Sequence, residues 1–236
     1  MFGYDDAITA RYPAIRAGVI HAAGLSNGPS PAGLLDRYRA EQQTAQARLA
    51  AVPIADTPSI VAWRRVFTSF GAKPTQHRNA AEALLRRLAK QGDIPSVNTL
   101  ADIGNLVSIR YAMPVAVIDQ AGINGSITVR FAAGTEPFTD LGAADSVLPD
   151  PGEVIFTDSA GVAAARRWCW RQSAQSATRE STTQALIVTE GHHDTAGEDT
   201  AAALTDLAEL LAAHQPGCQV TIRRLGPRPA SAPAGR

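Results

Sequence analysis

The chain has 236 residues, 45% of them apolar, with 22 acidic and 22 basic side chains and two cysteines. Zero net charge excludes a protein whose main work is gripping a long nucleic acid through many phosphates, and two cysteines exclude a disulfide framework or a multi-cysteine zinc site. No apolar run approaches the roughly 20 residues of a membrane span, and Met1-Phe-Gly-Tyr-Asp-Asp is not the basic start of a signal peptide, so a cytoplasmic protein without a membrane partner is expected.

In chain order, residues 17–23 read as a strand, and a turn of Asn, Gly, Ser and Pro leads to a helix over 32–50. That turn contains Gly24-Leu25-Ser26-Asn27-Gly28, the spacing of a hydrolase nucleophile elbow. An elbow requires the helix to begin at the serine, and Pro29, Ser30 and Pro31 intervene, so Ser26 is not taken as a nucleophile. A helix over 77–90 carries the apolar stripe Ala80, Ala81, Leu84, Leu85 and Leu88 and ends at Gly92. Around it Arg64, Arg65, Lys73, Arg78, Arg86, Arg87 and Lys90 face only Glu82 and Asp93, which is either a solvated helix face or a binding patch.

Residues 95–119 read as a helix running into a strand, and the chain is arranged around them. At about 100° per residue, Asn98, Asp102 and Asn105 fall within about 60° of one another beside the apolar arc of Leu100, Ile103, Leu106 and Val107. Short polar groups suit a helix interior poorly, so the stripe is expected to line a cleft. The alternative is that Asn98 is the N-cap and that the other two bond neighbouring backbone. The strand after Pro114 is apolar enough to be buried on both faces.

Asn124-Gly125 marks a hairpin with a return strand over 126–132, and a further strand is expected at 154–157. In a strand over 163–173, Arg166, Trp168, Trp170 and Gln172 alternate with Arg167, Cys169, Arg171 and Ser173. The tryptophans are core packing or a stacking platform. Arg167 and Arg171 need acceptors, from protein carboxylates or a ligand. A buried strand over 185–189 leads to Glu190-Gly191-His192-His193-Asp194, where adjacent histidines point opposite ways, so no metal site and no cofactor is expected. A helix over 200–213, a strand over 219–223 and a disordered Pro-rich tail at 226–236 complete the chain.

The order of these motifs resembles the editing domain of the bacterial phenylalanyl-tRNA synthetase β subunit, formed by its third and fourth segments, and its freestanding relatives. The residues that carry the resemblance are 71–78, the Leu100-Ala-Asp-Ile-Gly-Asn-Leu-Val-Ser run, 113–119, 130–141 with Glu136, Pro151-Gly-Glu-Val, Trp168-Cys-Trp-Arg-Gln-Ser and 182–190. The resemblance implies an α+β fold in which a mixed, largely antiparallel sheet and helices surround a central pocket. Residues 63–225 would form the editing-like module and 1–62 a strand-helix segment packed on it.

The implied activity is that of a freestanding deacylase hydrolysing the ester of mischarged tRNA in trans, a second sieve behind a synthetic site. Its partners would be the acceptor end of an aminoacyl-tRNA and the attached amino acid. On this reading Asn98, Asp102 and Asn105 orient water or the ribose hydroxyls, and Arg171 meets a carbonyl or phosphate. Glu190 with Gln172 reads the amino acid, and Arg78, Glu136 and Thr183 complete the substrate-binding set. The chain departs from the family at Ala116, where a histidine is expected, and at the bulky 166–172 stretch, where a Gly-rich loop is expected. Both departures point to a side chain other than tyrosine. The rival readings are a module that binds without cleaving and a small-molecule hydrolase or biosynthetic enzyme reusing the pocket.

Overall fold

The computed structural model describes residues 1–226. In chain order the elements are β1 (Phe2–Tyr4), α1 (Asp6–Arg11), β2 (Arg16–Ala23), α2 (Ala32–Ala51), α3 (Pro58–Ser69), α4 (Ala80–Gln91), α5 (Thr99–Tyr111), β3 (Val115–Asp119), β4 (Ile127–Phe131), β5 (Val154–Thr157), β6 (Ala163–Arg166), β7 (Arg171–Gln172), β8 (Gln184–Gly191), α6 (Ala196–His214) and β9 (Gln219–Leu225). Helix ends follow local chemistry. The Asn79 side chain accepts from the Glu82 amide to start α4, and Gly92, at φ 82°, ends it in the left-handed conformation that glycine adopts without strain.

The fold is α+β and largely antiparallel, as expected, with the strands divided between two sheets. One runs β3-β8-β2-β9, antiparallel throughout; the other runs β1-β4-β5-β6-β7, in which only β1 and β4 are parallel. The alternation of side chains along a strand explains the layering. Ile20, Val117, Ala185 and Ile187 point to one side of the first sheet, into a core built with α2, α4, α5 and α6. Val19, Ile118, Leu186 and Val188 point to the other, into a second core shared with α1, α3 and the five-stranded sheet. Both faces of β2, β3 and β8 are therefore buried, which is why these strands read as continuous apolar runs. Helix α5 lies close on β3: a Cβ on Gly104 would stand 2.7 Å from Cγ2 of Val117.

Two expectations are corrected. Asn124-Gly125 does not close a hairpin, because β3 and β4 belong to different sheets; the amide nitrogen and Nδ2 of Asn124 each donate to Asp158 Oδ2 at 2.9 Å, and the chain crosses between layers there. The 163–173 stretch is not one strand. It breaks at Arg167 (φ 43°) and Trp168 (φ 62°), and the chain reverses so that β7 pairs back onto β6. Within residues 1–62, β2 lies between β8 and β9, and β1 adds to the other sheet. The expected disordered tail, beyond Gly226, lies outside the described residues.

Candidate functional site

Near the end of β8, Glu190 shares a strand face with Leu186 and Val188 and so points between the two sheets. It is 3% exposed. Its Oε1 accepts from the Tyr4 hydroxyl at 2.5 Å and from Trp168 Nε1 at 3.0 Å. Oε2 has no hydrogen-bond partner among the described residues. Burial pushes the carboxyl from its ordinary 4.5 up to about 7, and the two donors only partly offset that. The Tyr4 phenol is raised well above its ordinary value by burial, with the neighbouring Glu190 adding to the rise, so it stays protonated as a donor.

Among the described residues Glu190 is the one carboxylate lining a cleft of about 420 Å³ of empty space, part of it open to solvent. Val115, Ala116, Phe156, Trp168, Trp170 and Val188 form its apolar walls, and Arg171 and Gln172 add the remaining side-chain polarity at this end. Gln172 Nε2 donates to the carbonyls of Val117 at 2.9 Å and Ser176 at 2.6 Å, so Oε1 is the atom left to accept. Arg171 Nη1 donates to Asp140 Oδ2 at 2.5 Å. The guanidinium groups of Arg167 and Arg171 lie 4.7 and 4.8 Å from the Trp170 ring, as cation–π partners. Cys169 also lines the cleft, but burial raises its thiol well above its ordinary value, with Glu190 adding, so it is not an activated nucleophile.

The reversal at Arg167 and Trp168 builds this wall. Two successive left-handed non-glycine residues are costly, on the order of 1 to 3 kcal/mol each, and the surrounding contacts hold them. The Trp168 amide donates to the Val154 carbonyl at 2.6 Å, and its fully buried ring meets Trp63 and Tyr12 edge-on at 5.3 and 5.1 Å. Trp168 is thereby turned inward onto Glu190 while Trp170 stays at the cleft.

Of the residues singled out in the sequence, Arg171, Gln172 and Glu190 come together here. The α5 stripe does not line the cleft. Asn98 is the N-cap of α5, accepting from the Ala101 amide at 2.9 Å. Asp102 is fully buried and accepts from the Ser30 hydroxyl at 2.6 Å, the Ser96 hydroxyl and the Val97 amide at 2.9 Å, pinning two loops to the helix. Asn105 is half-buried beside Tyr38 of α2.

Glu136 organises its own loop. It accepts from the amides of Ala133, Gly134 and Thr135 and pairs with Arg130 at 2.6 Å. Burial raises its pKa, but these donors outweigh it and draw the carboxyl down to about 2. Arg78 stands 3.7 Å from Glu82. Thr183 is exposed, its carbonyl accepting from the Leu25 amide.

Two contributors escaped the sequence reading. Tyr4 sits in a three-residue strand, too short for any period beyond Phe2 and Tyr4 alternating with Gly3. Trp63, fully buried, donates to the Glu190 carbonyl at 3.3 Å. The adjacent histidines find different partners. His192 packs edge-on to Trp63 at 4.6 Å and is pulled down to about 3 by burial, with His193 adding, whereas His193 Nε2 lies 2.7 Å from Asp199 Oδ2. Among the described residues no helix is long and apolar enough to cross a membrane.

Comparison with known proteins agrees with the likeness read from the motifs. Over 86 residues, 36% of this chain, it is 31% identical to the phenylalanine–tRNA ligase β subunit of Fusobacterium nucleatum subsp. nucleatum, of which that stretch is 10%. A crystal structure of an N-terminal fragment of the phenylalanyl-tRNA synthetase β subunit from Pyrococcus horikoshii superposes on 93% of this chain and half of its own length, with a TM-score of 0.47 and 12% identity. The chain thus spans a tenth of the first relative and half of the second. Residues 62–211, more than half of the chain, match the B3/4 domain, and the protein belongs to the B3/4 domain family.

Proposed function

We propose that the cleft receives the aminoacyl end of a tRNA and that the chain hydrolyses the ester there, acting in trans on mischarged tRNA. The observation that carries this reading is Glu190: a lone carboxyl at the base of an aromatic cleft, with one oxygen held by Tyr4 and Trp168 and the other free. A carboxyl near 7 is poised to act as a base at neutral pH. Glu190 takes a proton from a water that attacks the ester carbonyl. The bond to the ribose oxygen breaks, and the proton passes to that oxygen, leaving a free amino acid and a ribose hydroxyl. The apolar wall takes the amino-acid side chain, Gln172 Oε1 accepts from its ammonium group, and Arg171 stands at the carbonyl. Asn98, Asp102, Asn105, Glu136 and Thr183 act in this reading as scaffold. The family membership and the relative's name support a tRNA substrate.

A second reading, binding without cleavage, is favoured by one feature of the same cleft. Both amide hydrogens of Gln172 and one nitrogen of Arg171 are already committed to protein acceptors, which leaves few fixed donors for a developing oxyanion. Time courses with a panel of mischarged tRNAs, run beside free amino-acid esters, decide between them. Hydrolysis requires amino-acid release by the wild type and a roughly 100- to 1,000-fold lower kcat in Glu190→Gln with little change in KM. Tight binding without release supports the second reading. A change in KM and side-chain preference alone would make Glu190 a recognition group.

A further inference from the structure

Away from the cleft, a single carboxylate gathers three arginines. Glu82, in the first turn of α4 and fully buried, takes the fork of Arg64 from α3, with Nε at 3.1 Å from Oε2 and Nη2 at 2.6 Å from Oε1. Arg86 Nε donates to Oε1 at 2.7 Å, and Arg78 Nε stands 3.7 Å from the same atom. Burial raises the Glu82 pKa, but the hydrogen bonds and charges of Arg64 and Arg86 outweigh it and hold the carboxyl below its ordinary value. Glu82 is therefore ionised at neutral pH, and the cluster carries a surplus of two positive charges.

Pairing a buried carboxylate needs only the bidentate fork that Arg64 supplies. Arg78 and Arg86 are surplus to that task. Their side chains are 41% and 40% exposed, each with N–H groups to spare. Like charges held together at a surface repel, and that cost is relieved when an anion arrives. The cluster also has a fixed relation to the cleft. Ala80 lines the cleft, and Arg78 is two residues before it, so their Cα atoms are within about 7.6 Å.

We propose that the Glu82-centred arginines bind phosphodiester groups of the RNA strand whose end enters the cleft. The inference rests on the tRNA reading of the cleft and adds to it where the backbone is held. Planar guanidinium forks match phosphate oxygens, and Glu82 holds them in place before the strand arrives. The short reach from Arg78 to Ala80 lets a strand whose end enters the cleft meet the cluster with its backbone.

The test measures binding of uncharged bulk tRNA between about 50 and 200 mM salt for the wild type, Arg86→Gln, Arg78→Gln with Arg86→Gln, and Arg65→Gln. Arg65 is exposed on α3, beside Arg64, and has no ion pair with Glu82. Removing Arg86 is expected to weaken binding roughly tenfold and to lower the slope of log K against log salt by about 1, the double change by about 2. Arg65→Gln is expected to change neither by as much. If Arg86→Gln fails to fold, Arg86→Lys serves: it keeps the charge but loses the fork, and weaker binding at an unchanged slope is expected.

Unaltered affinity and slope in the double variant overturn the site, and so does an equal loss in Arg65→Gln, which would mean diffuse charge. Displacement of tRNA by poly-glutamate as readily as by a competing RNA assigns the cluster to an acidic polypeptide and also overturns it. Because the tRNA is uncharged, absence of ester hydrolysis counts against the proposed activity and leaves this measurement standing.

Discussion

At the scale of single residues, the sign of a pKa shift separates groups that stabilise the fold from groups that work at its expense. Glu190 releases its proton near 4.5 when unfolded and near 7 when folded. Between those values the folded state holds more protons, so the stability from this group is complete below pH 4.5 and is lost as pH rises to 7. Over that window the loss is roughly 3 kcal/mol. In Glu190→Gln, Oε1 still accepts from Tyr4 and Trp168, and no charge is buried. That variant is expected to unfold at higher temperature than the wild type at pH 8 and to lose the advantage at pH 5, as thermal melts across the range will read. Glu136 works oppositely: its folded value of about 2 adds stability that is present above 4.5 and lost as pH falls toward 2.

Asp102 shows a second contrast at this scale, since its carboxylate accepts from Ser30, Ser96 and Val97 and is wholly buried. Asp102→Asn sets an N–H group against those donors and is expected to cost about 1 to 3 kcal/mol with unchanged activity per folded molecule. Unfolding and deacylation measured on one preparation read both. A fully stable variant with a 10- to 1,000-fold slower reaction would return the α5 stripe to the catalytic machinery.

At the scale of elements, tight approach matters more than propensity. Gly104 on α5 leaves room for Val117 of β3, and an added methyl would meet Cγ2 at 2.7 Å. Gly104→Ala, though favourable to an isolated helix, is expected to destabilise the protein by about 1 to 3 kcal/mol as the helix is pushed off the sheet, read as a lower denaturant midpoint. Helices such as α4 and α5 were legible in the sequence because one buried face imposes a period on them, and β2 and β8 because burial on both faces leaves a nearly unbroken apolar run. The 163–173 stretch was not. Its alternation of arginine and tryptophan reads as a strand, but two left-handed residues fold it into a reversal, and only the tertiary contacts of Trp168 supply the compensation. The cleft was legible to the same degree. Gln172 and Arg171 stand out as costly groups in a strand-like stretch and Glu190 through the family resemblance, whereas Tyr4 reaches Glu190 across 186 residues of chain that no local pattern links.

At the scale of the whole molecule, the family match covers residues 62–211, but the sheet that carries Glu190 is completed from outside that span. Strand β2 pairs with β8 along Arg16–Ala23 and with β9 along 17–23, so it supplies the middle of the four-stranded sheet. Without it β8 and β9 each present an open row of backbone N–H and C=O groups, and Ile20 and Val19 leave holes in both cores. The Glu190 carboxyl loses its Tyr4 donor at the same time. A fragment beginning at Trp63 is therefore expected to be unfolded or aggregated, while the 1–226 chain unfolds in a single transition. Circular dichroism and calorimetry of the two chains provide the measurement. Cooperative folding of the shorter fragment with an intact cleft would show that β8 and β9 can close on each other, and would make β1 and β2 an addition to a self-sufficient domain.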